Sequence, residues 1–320
     1  MKVKKCYIAI LVVCLSALSL SARTAVYAGD NYTIELVYND TVVQGEAIFV
    51  RMKMVVSRGY KKAKTAAILE LRNKRKKLDS TSFYIVKTGI SSIELLAGIP
   101  IPEWLESEEY SLSVVYSAFG TDPEEFQLPV TVKQADFEKR VISTDTVAHQ
   151  DETSPEQLAR VKRTDSILQT VNSSDIFQLS EFTPPVDTKR RNSEFGDQLT
   201  YTYPSGKLMT DFGNDIEYNV PAGSAVYACG TGKVVLAEKW GQNGWTVIVE
   251  HLPGLYSFCS NMNSVAVKEG QTVRQGERIG VSGMNSLKNR PALFWGIILN
   301  TVFVNPDFFN SDFAFDQKKK

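Results

Sequence analysis

The sequence predicts a mainly β protein in two parts, an N-terminal β-sandwich and a C-terminal β-sheet domain, joined by a linker helix. Three patterns predict it. Residues 32–56 alternate apolar and polar in short runs, and residues 220–304 set short apolar runs between Pro-Gly and glycine turns. A stretch after Ser154 combines a helix start signal with apolar residues at helical spacing.

In chain order, Lys2, Lys4 and Lys5 precede an apolar run from Tyr7 to Leu20 and the small-residue site Val26-Tyr27-Ala28. Residues 1–28 therefore read as a cleavable secretory signal, too short in its apolar run for a spanning helix. Val13 is bulky for a lipoprotein site at Cys14. The chain is therefore expected to be exported from the cytoplasm. Loss of Lys2, Lys4, Lys5 and Arg23 turns the 36 basic and 36 acidic residues into 32 and 36, a formal balance of −4. Nucleic acid is not the expected partner of such a chain.

Residues 29–135 read as an immunoglobulin-like β-sandwich without the cysteine-tryptophan-cysteine core of antibody domains. Tyr32 to Val37 alternates, Gln44-Gly45 gives a turn, and Ala47 to Val56 alternates again with Val50, Met52 and Met54 on one face. Further strands are expected at 66–71, 82–87, 110–116 and 126–133. A basic cluster runs from Arg58 to Lys77 and includes Lys61, Lys62, Lys64, Arg72, Lys74, Arg75 and Lys76 around the single acid Glu70. It is either a solvated hairpin or a contact for an anionic envelope surface.

Residues 136–194 read as a linker with a helix near 155–171. Ser154-Pro155-Glu156-Gln157 has capping-box order with proline at the first helical position, and Leu158, Val161, Leu168 and Val171 form the expected apolar stripe. Residues 172–194 are polar and proline-bearing, an extended lead-in to Phe195-Gly196.

Residues 195–310 read as the second β unit, and 311–320 as a basic C-terminal tail. Val220 to Ala228 and Gly230 to Ala237 are expected to form a hairpin. Trp245–Glu250, the turn His251-Leu252-Pro253-Gly254 and Leu255–Ser260 follow. "VKEGQTVRQGERIGVSG" then places glycines between short apolar strands, where positive φ costs glycine little. Ala292–Leu299 and Thr301–Val304 close the unit before Asn305-Pro306.

This order of turn glycines, with "VKEGQTVRQGERIGVSG" and the terminal "VNP", resembles the lysostaphin-type or LytM zinc metallopeptidases of bacterial cell walls, whose fold is the duplicated hybrid motif. Biotinyl and lipoyl carriers use similar turns but need a modifiable lysine at a hairpin tip, and Glu238-Lys239-Trp240 lacks that pattern. The resemblance implies a zinc site built from His-x-Gly-x-Asp and from the second histidine of His-x-His, with two further catalytic histidines. Asp211-Phe212-Gly213-Asn214-Asp215 fits the first motif with Asp211 in the histidine's place. Asn261 stands for the histidine of the next strand. Arg290-Pro291-Ala292-Leu293-Phe294-Trp295 fits Gly-Pro-His-x-His, with Ala292 and Phe294 for both histidines. Asp215 alone is retained.

A hydrolytic zinc needs three protein ligands and one open position. The chain has two histidines, His149 in the linker and His251 in a turn, where the resemblance implies a turn-stabilising role. The expectation is therefore a degenerate domain with no catalytic residue, cofactor or metal, its groove candidates being Asp211, Asp215, Asn261 and Phe294. Asp211 and Asp215 either attract a hard cation weakly or stand as solvated acids. Phe294 is either an acquired contact surface or simple repacking. Loss of the signal leaves Cys229 and Cys259 as an even pair in an exported chain. The resemblance puts them on neighbouring strands, where a disulfide closing a ~30-residue loop would contribute on the order of 3–4 kcal/mol.

By analogy with degenerate LytM proteins that activate cell-wall amidases, the expected function is binding peptidoglycan or a cell-wall hydrolase and regulating wall cleavage. Two rivals stand beside it: an active endopeptidase that recruits metal through Asp211, Asp215 and a nearby donor, and a structural envelope adaptor that binds through residues 31–135.

Overall fold

The structure, a computed structural model, describes residues 22–29, 32–56, 65–117, 123–143, 154–202, 206, 208–240, 244–285 and 290–311. The chain divides into two compact units, Met1–Ala135 and Asp136–Lys320.

The first unit holds β1 (Ala22–Ala28), β2 (Tyr32–Asn39), β3 (Thr41–Val43), β4 (Ala47–Val56), β5 (Ala66–Asn73), β6 (Lys76–Ser82), β7 (Tyr84–Thr88), β8 (Ser92–Pro100), β9 (Glu109–Ser117) and β10 (Glu124–Lys133). They form two five-stranded sheets in the orders β1-β2-β4-β8-β7 and β3-β10-β9-β5-β6. Both sheets turn an apolar face to one core. Ile34, Leu36, Met52, Met54, Leu95 and Ala97 come from the first, and Leu69, Leu71, Leu112, Val114, Leu128 and Val130 from the second. Val50, Met52 and Met54 share a buried face, as the alternation required.

The strands of this unit depart from the expected set at three places. Residues 22–28, assigned to the end of a secretory signal, form an edge strand antiparallel to β2 from Ala22↔Asn39 to Ala28↔Thr33. Arg23 pairs with Asp40, and Tyr27 packs edge-on against Phe126 at 5.6 Å. A sandwich boundary at residue 29 would cut this strand away, and the described part of the unit begins at Ala22. The strand expected at 82–87 is two strands, β6 and β7, separated by the core residue Phe83. Strand β8 gave no alternation because both its faces are covered: from Ile93 to Pro100 every residue is buried. Within it, a Cβ at Gly98 would lie 2.3 Å from the Phe49 ring of the paired strand, so only glycine fits there.

Of the basic cluster, Arg58, Lys61, Lys62 and Lys64 lie outside the described residues. The remainder forms the exposed β5–β6 hairpin tip, with Lys74 at φ 52° and Arg72 bound to Glu70 at 2.9 Å through Nε.

In the second unit β11 (Lys139–Ser143) runs parallel to β13 (Gln198–Thr202), which pairs with β14 (Leu208–Phe212). Helix α1 (Pro155–Gln169) lies between β11 and β12 (Arg191–Ser193) in the chain. A ten-stranded sheet then unites β12, β15 (Ile216–Tyr218), β16 (Ala225–Tyr227), β17 (Gly232–Lys239), β18 (Trp245–Leu252), β19 (Leu255–Val265), β20 (Thr272–Val273), β21 (Arg278–Asn285), β22 (Arg290–Leu299) and β23 (Val302–Val304). The short α2 (Phe308–Ser311) follows. β22 and β23 are joined by Asn300-Thr301, both at positive φ (47° and 68°), as a two-residue type I′ hairpin requires.

The expected hairpin of 220–237 does not form. β16 pairs with β21, whereas β17 pairs with β18 and β20, and Cys229-Gly230-Thr231 carries the chain between them. Within residues 136–194, the extended lead-in expected at 172–194 is bonded to the sheet. Phe177 N–H donates to His251 O, Phe182 N–H to Phe309 O and Thr183 N–H to Cys229 O, and Phe182 and Val186 are buried. These bonds satisfy backbone groups of an irregular segment against the sheet.

Helix α1 has the capping box read from Ser154 and Gln157. Its apolar stripe is narrower than its spacing suggested: Leu168 is buried, whereas Leu158, Val161 and Val171 are exposed. Leu168 packs with Leu236, Ile248, Tyr256 and Ile298. Arg163, bound to Glu238 at 2.8 Å and Glu269 at 2.7 Å, holds the helix over that face.

Candidate functional site

Strand β22 organises the site. Residues opposite each other in a ladder share a face. On one side Leu293 and Trp295 pair with Tyr218 and Ile216, and all four are buried. The other side carries Arg290, Ala292, Phe294 and Gly296. There Phe294 lies between Glu217 of β15 and Ser260 of β19. Gly296 accepts the Phe258 ring: a Cβ would meet that ring at 2.1 Å and Asn214 O at 3.1 Å. The second approach sets the Gly213–Asp215 loop against the same face as Phe294.

Four of the residues singled out in the sequence are thus brought close. Phe294 and Asp215 are half-exposed, and Ala292 is fully buried. Asn261 sits in the left-handed region at φ 60° and is 2% exposed, and its Nδ2 donates to Ala292 O at 2.7 Å. Asparagine tolerates that conformation, and its amide ties β19 to β22 next to a bulge in the β19–β21 ladder. Gly283, opposite Ala292, leaves room for this turn, since a Cβ there would lie 2.7 Å from Asn261 O. Asp211 lies on β14 opposite Leu199, and its side chain is outside the described residues.

Sequence reasoning missed a charged network on this face. Glu217 is 0% exposed, and its Oε1 accepts from Arg290 Nη2 at 2.6 Å, Arg290 Nε at 3.0 Å and Asn192 Nδ2 at 3.1 Å. The available signal was an acid inside the apolar strand Ile216–Tyr218 and an arginine at the glycine of Gly-Pro-His-x-His. Nearby, Arg191 bridges Asp307 through both terminal nitrogens (2.6 and 2.8 Å) and lies 5.3 Å from the Tyr218 ring centroid.

His251 proves to be a core residue at the end of β18. The turn itself is Pro253-Gly254. Its Nδ1 is 2.9 Å from Thr231 O, which can only accept, so Nδ1 carries the proton. Nε2 then accepts from the Ser257 hydroxyl at 2.8 Å. Burial lowers the imidazole pKa to about 4, keeping the ring neutral. The ring staples the Cys229–Thr231 crossover, with Cys229 Sγ 3.8 Å from Nε2.

Cys229 and Cys259 are free, buried thiols, in place of the disulfide considered from the sequence. Cys229 lies in the crossover after β16 and Cys259 on β19 between Val247 and Trp295, close enough that, beside burial, a charge on Cys229 raises the pKa of Cys259. Burial pushes Cys229 up to about 11 and Cys259 well above its ordinary value. Neither thiol is ionised near neutrality, which disfavours exchange.

On the opposite side of β18, Glu250 faces Lys233 and Tyr256. Burial and the nearby Asp175 raise its pKa to about 7 against the pull of Lys233. The Tyr256 hydroxyl donates to Thr170 O at 3.1 Å, anchoring the C-terminal end of α1.

A sequence profile of Peptidase family M23 matches residues 212–306. The murein hydrolase activator EnvC of Escherichia coli K12 is 34% identical over 84 residues, 26% of this chain and 20% of the relative. The peptidoglycan DD-endopeptidase ShyA of Vibrio cholerae is 31% identical over 98 residues, 31% of this chain and 23% of the relative. The chain therefore spans no more than 23% of the length of either curated relative. A Pseudomonas aeruginosa crystal structure described as a peptidase M23 shares the fold at TM-score 0.52 and 21% identity, covering 83% of this chain and 94% of that one.

The described residues at positions 261, 292 and 294 do not fit the zinc of such peptidases. Ala292 and Phe294 offer carbon, and the Asn261 amide is committed to Ala292 O. Both nitrogens of His251 are engaged within the core. Among the described residues no three His, Cys, Asp or Glu side chains gather as a metal site. Residues 212–306 nevertheless match the family profile and share the fold, and they form an M23, LytM-type domain.

Proposed function

We propose that this chain is a non-catalytic M23 protein of the bacterial cell envelope that binds peptidoglycan or a cell-wall hydrolase and regulates wall cleavage. The observation that carries the reading is the replacement of metal-binding side chains by Ala292, Phe294 and a bonded Asn261 amide on a face that stays partly open at Phe294 and Ser260. A Lewis acid cannot be held by such donors. One relative is named a murein hydrolase activator, the role proposed here. The other is named an endopeptidase, and the substituted positions argue against that activity in this chain. The exposed basic hairpin Lys74–Lys77 is a second contact in this scheme, for an anionic envelope surface. Among the described residues no helix is long and apolar enough to cross a membrane.

The test is a turbidity assay on purified sacculi, with and without a cell-wall amidase, alongside zinc analysis of the protein. Clearing only when the amidase is present, and faster with this chain than without it, supports the reading. Metal-dependent clearing by the chain alone would establish the active endopeptidase instead. Sacculus or hydrolase binding confined to the N-terminal unit would favour the adaptor.

A further inference from the structure

Resting on the reading of the M23 groove as a binding surface, we propose that Arg290, buttressed by Glu217, recognises a carboxylate of a bound peptide beside Phe294. Same-face neighbours on a strand are separated by roughly 6.6–6.8 Å, so Arg290 and Phe294 lie two such steps apart with Ala292 between them. Yet the Arg290 guanidinium bonds to Glu217, the residue directly opposite Phe294. The two side chains together therefore span that offset along the strand, across the position of Ala292. A face suited to holding a cation now presents a fixed cation of its own.

The buttress is well built. Nε and Nη2 both donate to the same Glu217 oxygen, which also accepts from Asn192, and Asn192 O accepts from Arg140 Nη1 at 2.8 Å. A wholly buried carboxylate thereby holds the inner edge of the guanidinium. The outer edge differs: Nη1 has no hydrogen-bond partner among the described residues, and the side chain is 43% exposed. An arginine fixed on one edge donates from the other with little further loss of rotamer freedom. Carboxylates are the natural acceptors for that planar donor edge. Half-exposed Phe294 supplies an apolar surface for a small side chain next to the bound carboxylate. Because Glu217 balances the formal charge, recognition rests on directed N–H donors and depends weakly on salt.

Calorimetric titration of the full chain tests the assignment with two matched probe pairs. The first is a disaccharide-tetrapeptide wall fragment with a free C-terminal carboxylate, against its C-terminal amide. The second is a short blocked peptide containing glutamate, against the same peptide with glutamine. Binding about tenfold tighter for the free acid is expected in at least one pair, the size of one charge-assisted hydrogen bond. Preference in the first pair identifies a wall stem peptide, and in the second an acidic segment of a protein partner. The preference should vanish in Arg290→Gln with Glu217→Gln, which leaves no buried charge unpaired. It should fall sharply in Arg290→Lys, which keeps the charge without the planar fork and guards against misfolding of the double variant. Equal binding of acid and neutral forms in both pairs, or a preference that survives the double variant, overturns the assignment. Wild-type-like retention of the double variant on sacculi or a hydrolase, together with equal binding of acid and neutral probes by the wild type, removes Arg290 while sparing the groove reading. Failure of the wild type to bind either one removes the groove reading itself.

Discussion

Adjacent residues on β18 titrate in opposite senses, and that gives a quantitative test of the core. His251 has its pKa lowered from 6.5 to about 4 in the fold, so the unfolded chain takes up its proton first as pH falls. Its contribution to stability is complete above pH 6.5 and is lost as pH drops towards 4. Each pKa unit is worth about 1.4 kcal/mol, so going from pH 7.5 to 4.5 should cost about 2.5 kcal/mol. Glu250 has its pKa raised from 4.5 to about 7. Its neutral form suits the fold, so stability is present below pH 4.5 and is lost as pH rises through 7. Over the same interval acidification should return about 2 kcal/mol, after allowance for screening by solvent and Lys233. The two effects nearly cancel in the wild type. Urea unfolding followed by tryptophan fluorescence reports mainly on the second unit, which holds Trp240, Trp245 and Trp295. Relative to wild type, His251→Gln should gain stability by about 2.5 kcal/mol on going from pH 7.5 to 4.5, and Glu250→Gln should lose about 2 kcal/mol. Parallel pH curves for wild type and His251→Gln would refute the assignment of a buried neutral imidazole.

Asn261→Gly should cost about 1–2 kcal/mol through the lost bond to Ala292 O, and Asn261→Ala about 1 kcal/mol more through left-handed strain, measured by thermal melting. If residues 1–21 are removed as a leader, intact-mass analysis should find a mature chain that retains Ala22–Ala28; a version starting at Gly29 should aggregate through the bared edge of β2. Retention on phosphatidylglycerol vesicles should fall as salt rises and disappear when Lys74, Arg75, Lys76 and Lys77 are all changed to serine. Binding that ignores salt would remove the hairpin as an electrostatic contact.

The parts of the fold visible in the sequence were those with local causes. Alternation placed β2 and β4, the Ser154–Gln157 box placed α1, and the turn glycines of 265–280 fixed the approach to β21. Non-local causes stayed hidden. β8 is apolar throughout because both its faces are covered, and the separation of β16 from β17 depends on a crossover stapled by His251, twenty residues from Thr231. The convergence of Asn261, Ala292 and Phe294 followed from family resemblance, but the reason asparagine suits position 261 is a backbone dihedral that no spacing reveals. The Glu217–Arg290 pair was invisible for a similar cause: its members are 73 positions apart and meet only through the β15–β22 ladder.

One ladder governs when the first unit can form. β3, at residues 41–43, lies parallel to the last strand of that unit, with Thr41↔Thr131 and Val42↔Val132 in register. A chain emerging from its N-terminus therefore leaves Val42 without its strand partner until β10 has been delivered. Closing so long a loop is entropically slow, which places completion of this ladder after the contacts of the shorter loops.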